Sequence, residues 1–429
     1  MSTVAMKRSI EESVTDSVDI KAPKFDSSAV NVEHDDKPSS SLAPDNQHDQ
    51  RPELDTVKKV KRRSYAGLVS FCGAKYHGMQ INHDLPTIEY YLFKAFHVTG
   101  LCTDEEYKQP PAIGLRFQRA ARTDKGVSAV RQIVSAYLRI ADDLSLADCC
   151  AKLNQHLPDD IRVMGLKRAT KNFNAKTNCD GRTYLYTMPT FGFAKHDELT
   201  NETFRLPAGR LEEINDILGI YEGTHNFFNF TSGRVHSDAS CNRYVTECVC
   251  DAPFMLAGWQ MVTIKVRGQS FMLHQIRKMI GLCIAIVRGL VEKSFIQRAW
   301  DDTRVDVPKA PGLGLCLSKP HFSGYDKRYK STGHHETLDS WPECEPTIEA
   351  FAKNVIFKQM VDVEKEEASM LKWLSVLHTT HFWDEEAREG ELPFTHQALK
   401  ILNDGPTDVE QSSKSETTAD AQNRTSDCH

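Results

Sequence analysis

Apolar and polar positions alternate or recur at helical spacing over most of the chain, and the pattern changes period in a regular order. A strand is expected over 65–71, followed by a loop holding Gly73 and Gly78. From Thr87, a favourable N-cap, Ile88, Tyr91, Leu92, Ala95 and Phe96 repeat at helical spacing until Gly100 supplies a stop. Val134, Ala136, Leu138 and Ile140 then alternate as a half-buried strand should. Ser145 opens a helix with a stripe of Leu146, Cys149, Cys150, Leu153 and Leu157, and a short strand follows over 161–164. After residue 172 the order recurs, with strands over 183–188, 243–250, 260–266 and 315–317 and helices over 211–221 and 273–290. This succession predicts an α+β fold, sheet against helices, in two similar halves, 58–172 and 173–325. Two such halves facing one another would leave a cleft between them. Beyond residue 325, Ile348, Phe351 and Val355 and then Leu371, Leu374 and Leu377 predict at least two helices in an extension over 326–402 that covers the core without chemistry of its own.

Charge changes this picture at the ends. The formal total is −6, but residues 1–57 carry −6 and residues 403–429 carry −4, so the segment between them is mildly basic at +4. Both ends are polar and aperiodic and are expected to be disordered. A basic body suits a polyanionic partner. Five bases in the six residues from Lys58 to Arg63 read equally as a nuclear address or as a phosphate-touching edge. No apolar run approaches the ~20 residues of a membrane span, and the acidic start resembles neither a signal nor a transit peptide. Twelve cysteines fall at spacings that match no common zinc set, including Cys241, Cys248 and Cys250 with His236, and read as small buried hydrophobes.

Three patterns carry candidate chemistry. Asp124 is a lone acid among Arg116, Arg119, Arg122, Lys125 and Arg131, in a turn made possible by Gly126. Surrounding cations keep its carboxylate ionised, as a nucleophile requires, and Arg122 and Lys125 form a rim that would recruit RNA phosphates. On the helix over 273–290, Leu273, Ile276, Ile280, Ile284 and Val287 fall on one narrow face, and Arg277 projects into that face while Lys278 points away. A guanidinium on a buried stripe is costly unless paired, so its expected partner is Asp124. On the strand over 183–188, Arg182, Tyr184 and Tyr186 share one side; an Arg beside a Tyr there could hold a phosphate while the ring packs on a base.

These residues also stand inside a longer series. Gly73-x-x-Tyr76-x-Gly78-Met79-Gln80, Arg122-Thr123-Asp124-Lys125-Gly126-Val127, Arg182-x-Tyr184-x-Tyr186, Gly268-Gln269-Ser270-Phe271-Met272-x-His274-Gln275-Ile276-Arg277-Lys278-Met279 and Val307-Pro308-Lys309-Ala310-Pro311-Gly312-Leu313-Gly314-Leu315 occur in order. Together they resemble the signature of TruA-type tRNA pseudouridine synthases, in wording nearest the eukaryotic subgroup. The resemblance implies two fused RRM-like (ferredoxin-like) α+β halves sharing a mixed, mostly antiparallel sheet with a central active cleft. It implies that Asp124 attacks the target uridine at ribose C1′ or base C6, that Tyr184 stacks on the base and takes the last proton, and that Arg277 pairs with Asp124. It further implies that Arg122 fills the space of the flipped uridine and that Leu315 lines the pocket beneath the base. No cofactor or metal is implied.

The reading is therefore a nuclear, monomeric enzyme acting on tRNA uridines around the anticodon stem and loop. snRNA and mRNA are further candidate substrates, and an alternative start would leave room for a mitochondrial form. Two rivals remain at this point. One is a non-catalytic tRNA-binding chaperone; the other is a metal-dependent nuclease using Asp124 with His77 or His83, for which the loop supplies no further carboxylates.

Overall fold

The computed structural model describes residues 60–82, 85–329 and 336–380. The acidic ends, the start of the basic run, His83 and the last part of the expected helical extension lie outside the described residues.

The alternating segments form one ten-stranded sheet: β1 (Arg63–Phe71), β2 (Gln118–Arg119), β3 (Ser128–Leu138), β4 (Ile161–Arg168), β5 (Gly181–Pro189), β6 (Gly223–Asn226), β7 (Asn242–Cys250), β8 (Phe254–Leu256), β9 (Trp259–Gly268) and β10 (Leu315–His321). Its main path runs β4-β1-β3-β10-β5-β9-β7-β6, with β2 on β3 and β8 on β9. Every pairing is antiparallel except β10 on β3. The last strand thus enters the middle of the sheet. It joins strands formed before residue 172 to strands formed after it, and carries Leu315 beside Tyr186.

Four longer helices cover one face: α1 (Ile88–Val98), α2 (Leu146–Asn154), α3 (Arg210–Gly219) and α4 (Gln275–Val287). Thr87 caps α1 by accepting from the Tyr90 amide, and Ser145 caps α2 by accepting from the Asp148 amide, as their side chains predict. The opposite face of β1 and β3 is covered by Trp341, Ile348, Phe351 and Ile356, which bury Leu68, Val130 and Ile133. The described part of the extension continues the core through α5 (Glu345–Phe351), a π-helical stretch (Ala352–Phe357), α6 (Lys358–Glu367) and α7 (Ser369–Leu377).

The eleven described cysteines are free and buried, in keeping with their reading as small hydrophobes. No described helix is long and apolar enough to cross a membrane.

One boundary differs with consequence. The helix expected from residue 273 begins at Gln275, whose side chain accepts from the Met272 amide. Ile276, Ile280, Ile284 and Val287 are buried as the stripe requires, but Leu273 stands before the helix and is 54% exposed. His274, between them, adopts the left-handed conformation at φ 66°. The strict spacing of the stripe hid this change of direction, because one apolar residue before a helix matches its period by chance.

Candidate active site

The Asp124 turn is built by close backbone packing. Gly126 takes φ 78°, and its amide donates to the Tyr76 carbonyl at 3.1 Å, while the Val127 amide closes the turn on the Asp124 carbonyl at 3.1 Å. The preceding loop lies directly on this turn. A Cβ at Gly73 would come within 2.2 Å of the Val127 carbonyl oxygen, and one at Gly78 within 2.7 Å of the Thr123 oxygen. The spaced glycines of the first motif are thus a packing surface for the second. Below them, Glu89 of α1 pairs with Arg119 and accepts from the Ile81 amide, fixing both loops to the helix. Burial pushes Glu89 up to about 7 against the opposing charge of Arg119.

Asp124, Arg122, Lys125, Arg182, Tyr184, Arg277 and Leu315 all line one cavity of about 960 Å³. It is walled by the 77–82 loop, the 118–127 segment, β5, the 270–277 segment and Leu315. Residues as distant in the chain as Arg122 and Leu315 are therefore brought together. His77 also lines it, and among the described residues no group of three or more His, Cys, Asp or Glu is gathered as a metal site.

Within the cavity the basic residues are held in different ways. Arg182 donates from Nε and Nη2 to the Ala120 carbonyl at 3.1 and 2.8 Å, and from Nη1 to the Gln269 carbonyl at 2.9 Å. It therefore braces the segment leading to Asp124 against the loop leading to α4. Arg277 and Ala310 are joined reciprocally: the Ala310 amide donates to the Arg277 carbonyl at 3.1 Å, and Arg277 Nε donates to the Ala310 carbonyl at 2.7 Å. The guanidinium packs beside Gly312, where a Cβ would meet its carbon at 3.5 Å, an ordinary contact.

The direct ion pair expected between Arg277 and Asp124 is not formed. The residue that faces Asp124 is His274, with Nδ1 3.5 Å from Oδ2. This is within ion-pair range, yet Nδ1 has no formed hydrogen bond. The physical reason lies in the two segments flanking α4: the 308–312 loop holds the guanidinium back, while the left-handed step at His274 turns the imidazole toward the carboxylate. Asp124 still acts on Arg277 through space, opposing the burial that lowers the pKa of the guanidinium. Burial and the charge of Lys309 likewise lower His274, with Asp124 opposing, so its imidazole is neutral near pH 7. No motif of charge or period pointed to His274. The signal available was its place in the Gly268 to Met279 motif, three residues before Arg277, to which no role was attached.

Tyr184 is buried beside the cavity, its ring edge-on to Phe271 at 5.5 Å. Burial raises its phenol well above the ordinary value, so it is a hydrogen-bond donor at neutral pH. Tyr186 on the same strand points elsewhere, donating to the Pro311 carbonyl at 2.9 Å and tethering the loop that holds Arg277. Arg122 and Lys125 are exposed at the rim.

Comparison with known proteins shows the family of the chain. A family model described as tRNA pseudouridine synthase matches residues 218–323. A mouse protein named pseudouridylate synthase 1 homolog is 44% identical over 329 residues, covering 76% of this chain and 76% of its own length. Its human counterpart is 45% identical over 319 residues, covering 73% of each chain. The chain belongs to the tRNA pseudouridine synthase family.

A relative from Yarrowia lipolytica named tRNA pseudouridine synthase 1 is 32% identical over 395 residues, with 72% of this chain and 73% of its own covered. This RNA pseudouridine synthase is thus an isomerase. The matched span of the family model holds His274, Arg277 and Leu315, whereas the synthase's Asp124 and Tyr184 lie before it.

Proposed function

We propose that this synthase isomerises uridine to pseudouridine in tRNA, around the anticodon stem and loop, with Asp124 as the nucleophile. The observation that carries the reading is that one cavity collects Asp124, Tyr184 and Arg277 with the cations Arg122, Lys125 and Arg182. The names of the yeast relatives support tRNA as the substrate class.

A uridine inside a folded RNA exposes neither C1′ nor C6 to a side chain, so it must be flipped out, at a cost of a few kcal/mol. Arg122, at the rim, occupies the space it leaves. In the cavity Tyr184 and Leu315 receive the base on their apolar surfaces. The Asp124 carboxylate attacks ribose C1′ or base C6, and the N1–C1′ glycosidic bond breaks. The uracil then turns so that C5 bonds to C1′, and the bond to Asp124 breaks, whether it was made at C1′ or at C6, so that the carboxylate is released. The proton on C5 is lost and N1, freed from the sugar, gains one, so product and substrate have the same atoms and no cofactor or energy source enters. Tyr184, a neutral phenol, can only relay the C5 proton: its oxygen takes that proton as its own hydroxyl proton passes on to N1 or to water. His274 faces the carboxylate, and Arg277 supplies positive charge near it.

The two parts of the sheet joined at β10 are read as fused RRM-like halves, 58–172 and 173–325, with the active cleft at their junction. The enzyme acts as a monomer in the nucleus, addressed by the Lys58 to Arg63 run. snRNA and mRNA with similar stem-loops are further substrates, and a mitochondrial form from an alternative start would share the same cavity.

The experiment is to incubate purified chain with an unmodified tRNA transcript and map pseudouridine at single-nucleotide resolution, with and without EDTA. Conversion in the anticodon arm that is indifferent to the chelator is expected. No conversion would leave the chaperone reading, and loss in EDTA the metal-dependent one.

A further inference from the structure

A second cavity of about 310 Å³ adjoins the first, and the same residue, His274, lines both. Its other walls come from Lys278 of α4, from Asp306 and Lys309 of the segment before β10, and from Trp373 and Val376 of α7. The extension, expected only to cover the core, therefore contributes to a surface beside Asp124.

The design of α7 is informative. Met370, Leu374 and Leu377 are buried and suffice to anchor it. Trp373 is half-buried and Val376 is 56% exposed, so the helix also turns an indole and a branched aliphatic side chain toward the cavity. Opposite them, the Lys278 ammonium is held in place by donating to the Asn229 carbonyl at 2.9 Å. Lys309 and Arg304 stand close enough to repel it, with Asp306 the counter-charge in the group. An indole sharing a cavity with an ammonium group held in place is the combination that binds a nucleotide: the ring stacks on any base, and the cation meets the phosphate. A shared imidazole wall places such a nucleotide next to whatever occupies the Asp124 cavity.

We propose that this cavity is a subsite for a nucleotide of the substrate RNA that neighbours the target uridine, with Trp373 as its stacking platform. The proposal rests on the RNA-modifying reading above. It gives the extension a part in RNA docking, and it places the same imidazole against both the docked nucleotide and Asp124.

The test uses the full chain and an unmodified tRNA transcript. Trp373→Ala is expected to weaken binding about tenfold and Trp373→Phe to restore most of it, since stacking needs an aromatic face but no particular hydrogen bond. Val376→Glu, at an exposed position that folding does not require, should weaken binding by a similar factor and most at low salt. In both variants the loss should fall on KM far more than on kcat. A photo-crosslinking benzoylphenylalanine at position 376 should join the transcript.

Wild-type affinity and salt dependence in both Trp373→Ala and Val376→Glu would overturn the subsite. So would crosslinking to residues 381–429 of the chain itself, which would make the cavity a seat for that segment. If Asp124→Asn is inactive while these variants bind like wild type, only the subsite fails; if Asp124→Asn still converts uridine, the reading beneath it fails.

Discussion

The floor and the rim of the cavity carry the same kind of charge and use it in opposite ways. On the floor, Arg182 and Arg277 give their donors to backbone carbonyls of Ala120, Gln269 and Ala310. At the rim, Arg122 and Lys125 are exposed and make no hydrogen bond or ion pair with another described residue. A guanidinium that already holds carbonyls fixes geometry, and its loss should disturb positions and stability together. A cation free in solvent is available to phosphates, and its loss should register as affinity and salt dependence.

The difference can be broken in order of expected effect. Arg277→Met removes buried positive charge near Asp124 and should lower kcat about 100-fold or more, as loss of one preorganised donor does; a variant near wild-type turnover would move Arg277 out of the catalytic group. Arg182→Lys replaces a three-bonded fork with a point charge. Hydrogen bonds from charged donors contribute roughly 1.5–3 kcal/mol each, so chemical denaturation should show about 2–3 kcal/mol lost. Unchanged stability there would mean that the brace between the 120 and 269 segments is not a support.

His274 lies between these categories, because its backbone is strained and its ring faces the carboxylate. Glycine at that position relieves the left-handed conformation and removes the imidazole. His274→Gly should therefore leave stability equal or raised by up to about 1 kcal/mol while turnover falls about tenfold. Turnover that stays constant would assign the residue to chain geometry alone. The smallest effect belongs to the rim: Lys125→Ala should weaken RNA binding a few-fold and reduce the slope of log affinity against log salt by about one, with the melting temperature unchanged.

The same contrast explains what was legible in the chain. Element types and most caps followed from period and from Thr87 and Ser145, because those signals are local. The gathering of Asp124, Tyr184, Arg277 and Leu315 was legible through the ordered motifs and through the anomaly of a basic residue on a buried stripe. The partner of that arginine was not, since a buried guanidinium needs acceptors and a carbonyl such as that of Ala310 serves as well as a carboxylate. Backbone acceptors leave no trace in residue type. For the same reason Arg182 read as a phosphate ligand, although its donors face Ala120 and Gln269. His274 stood in a quoted motif, but its turn toward Asp124 was not legible, because a positive φ at a non-glycine residue is imposed by its surroundings.

The most direct test of the account is single-turnover conversion of an unmodified tRNA transcript by Asp124→Asn, with transcript affinity measured in parallel. The amide keeps the shape of the side chain and removes its nucleophilic charge, so pseudouridine formation should fall to background while affinity stays within about twofold of wild type. Pseudouridine formed at an appreciable rate by that variant would contradict the assignment of Asp124 as the attacking group.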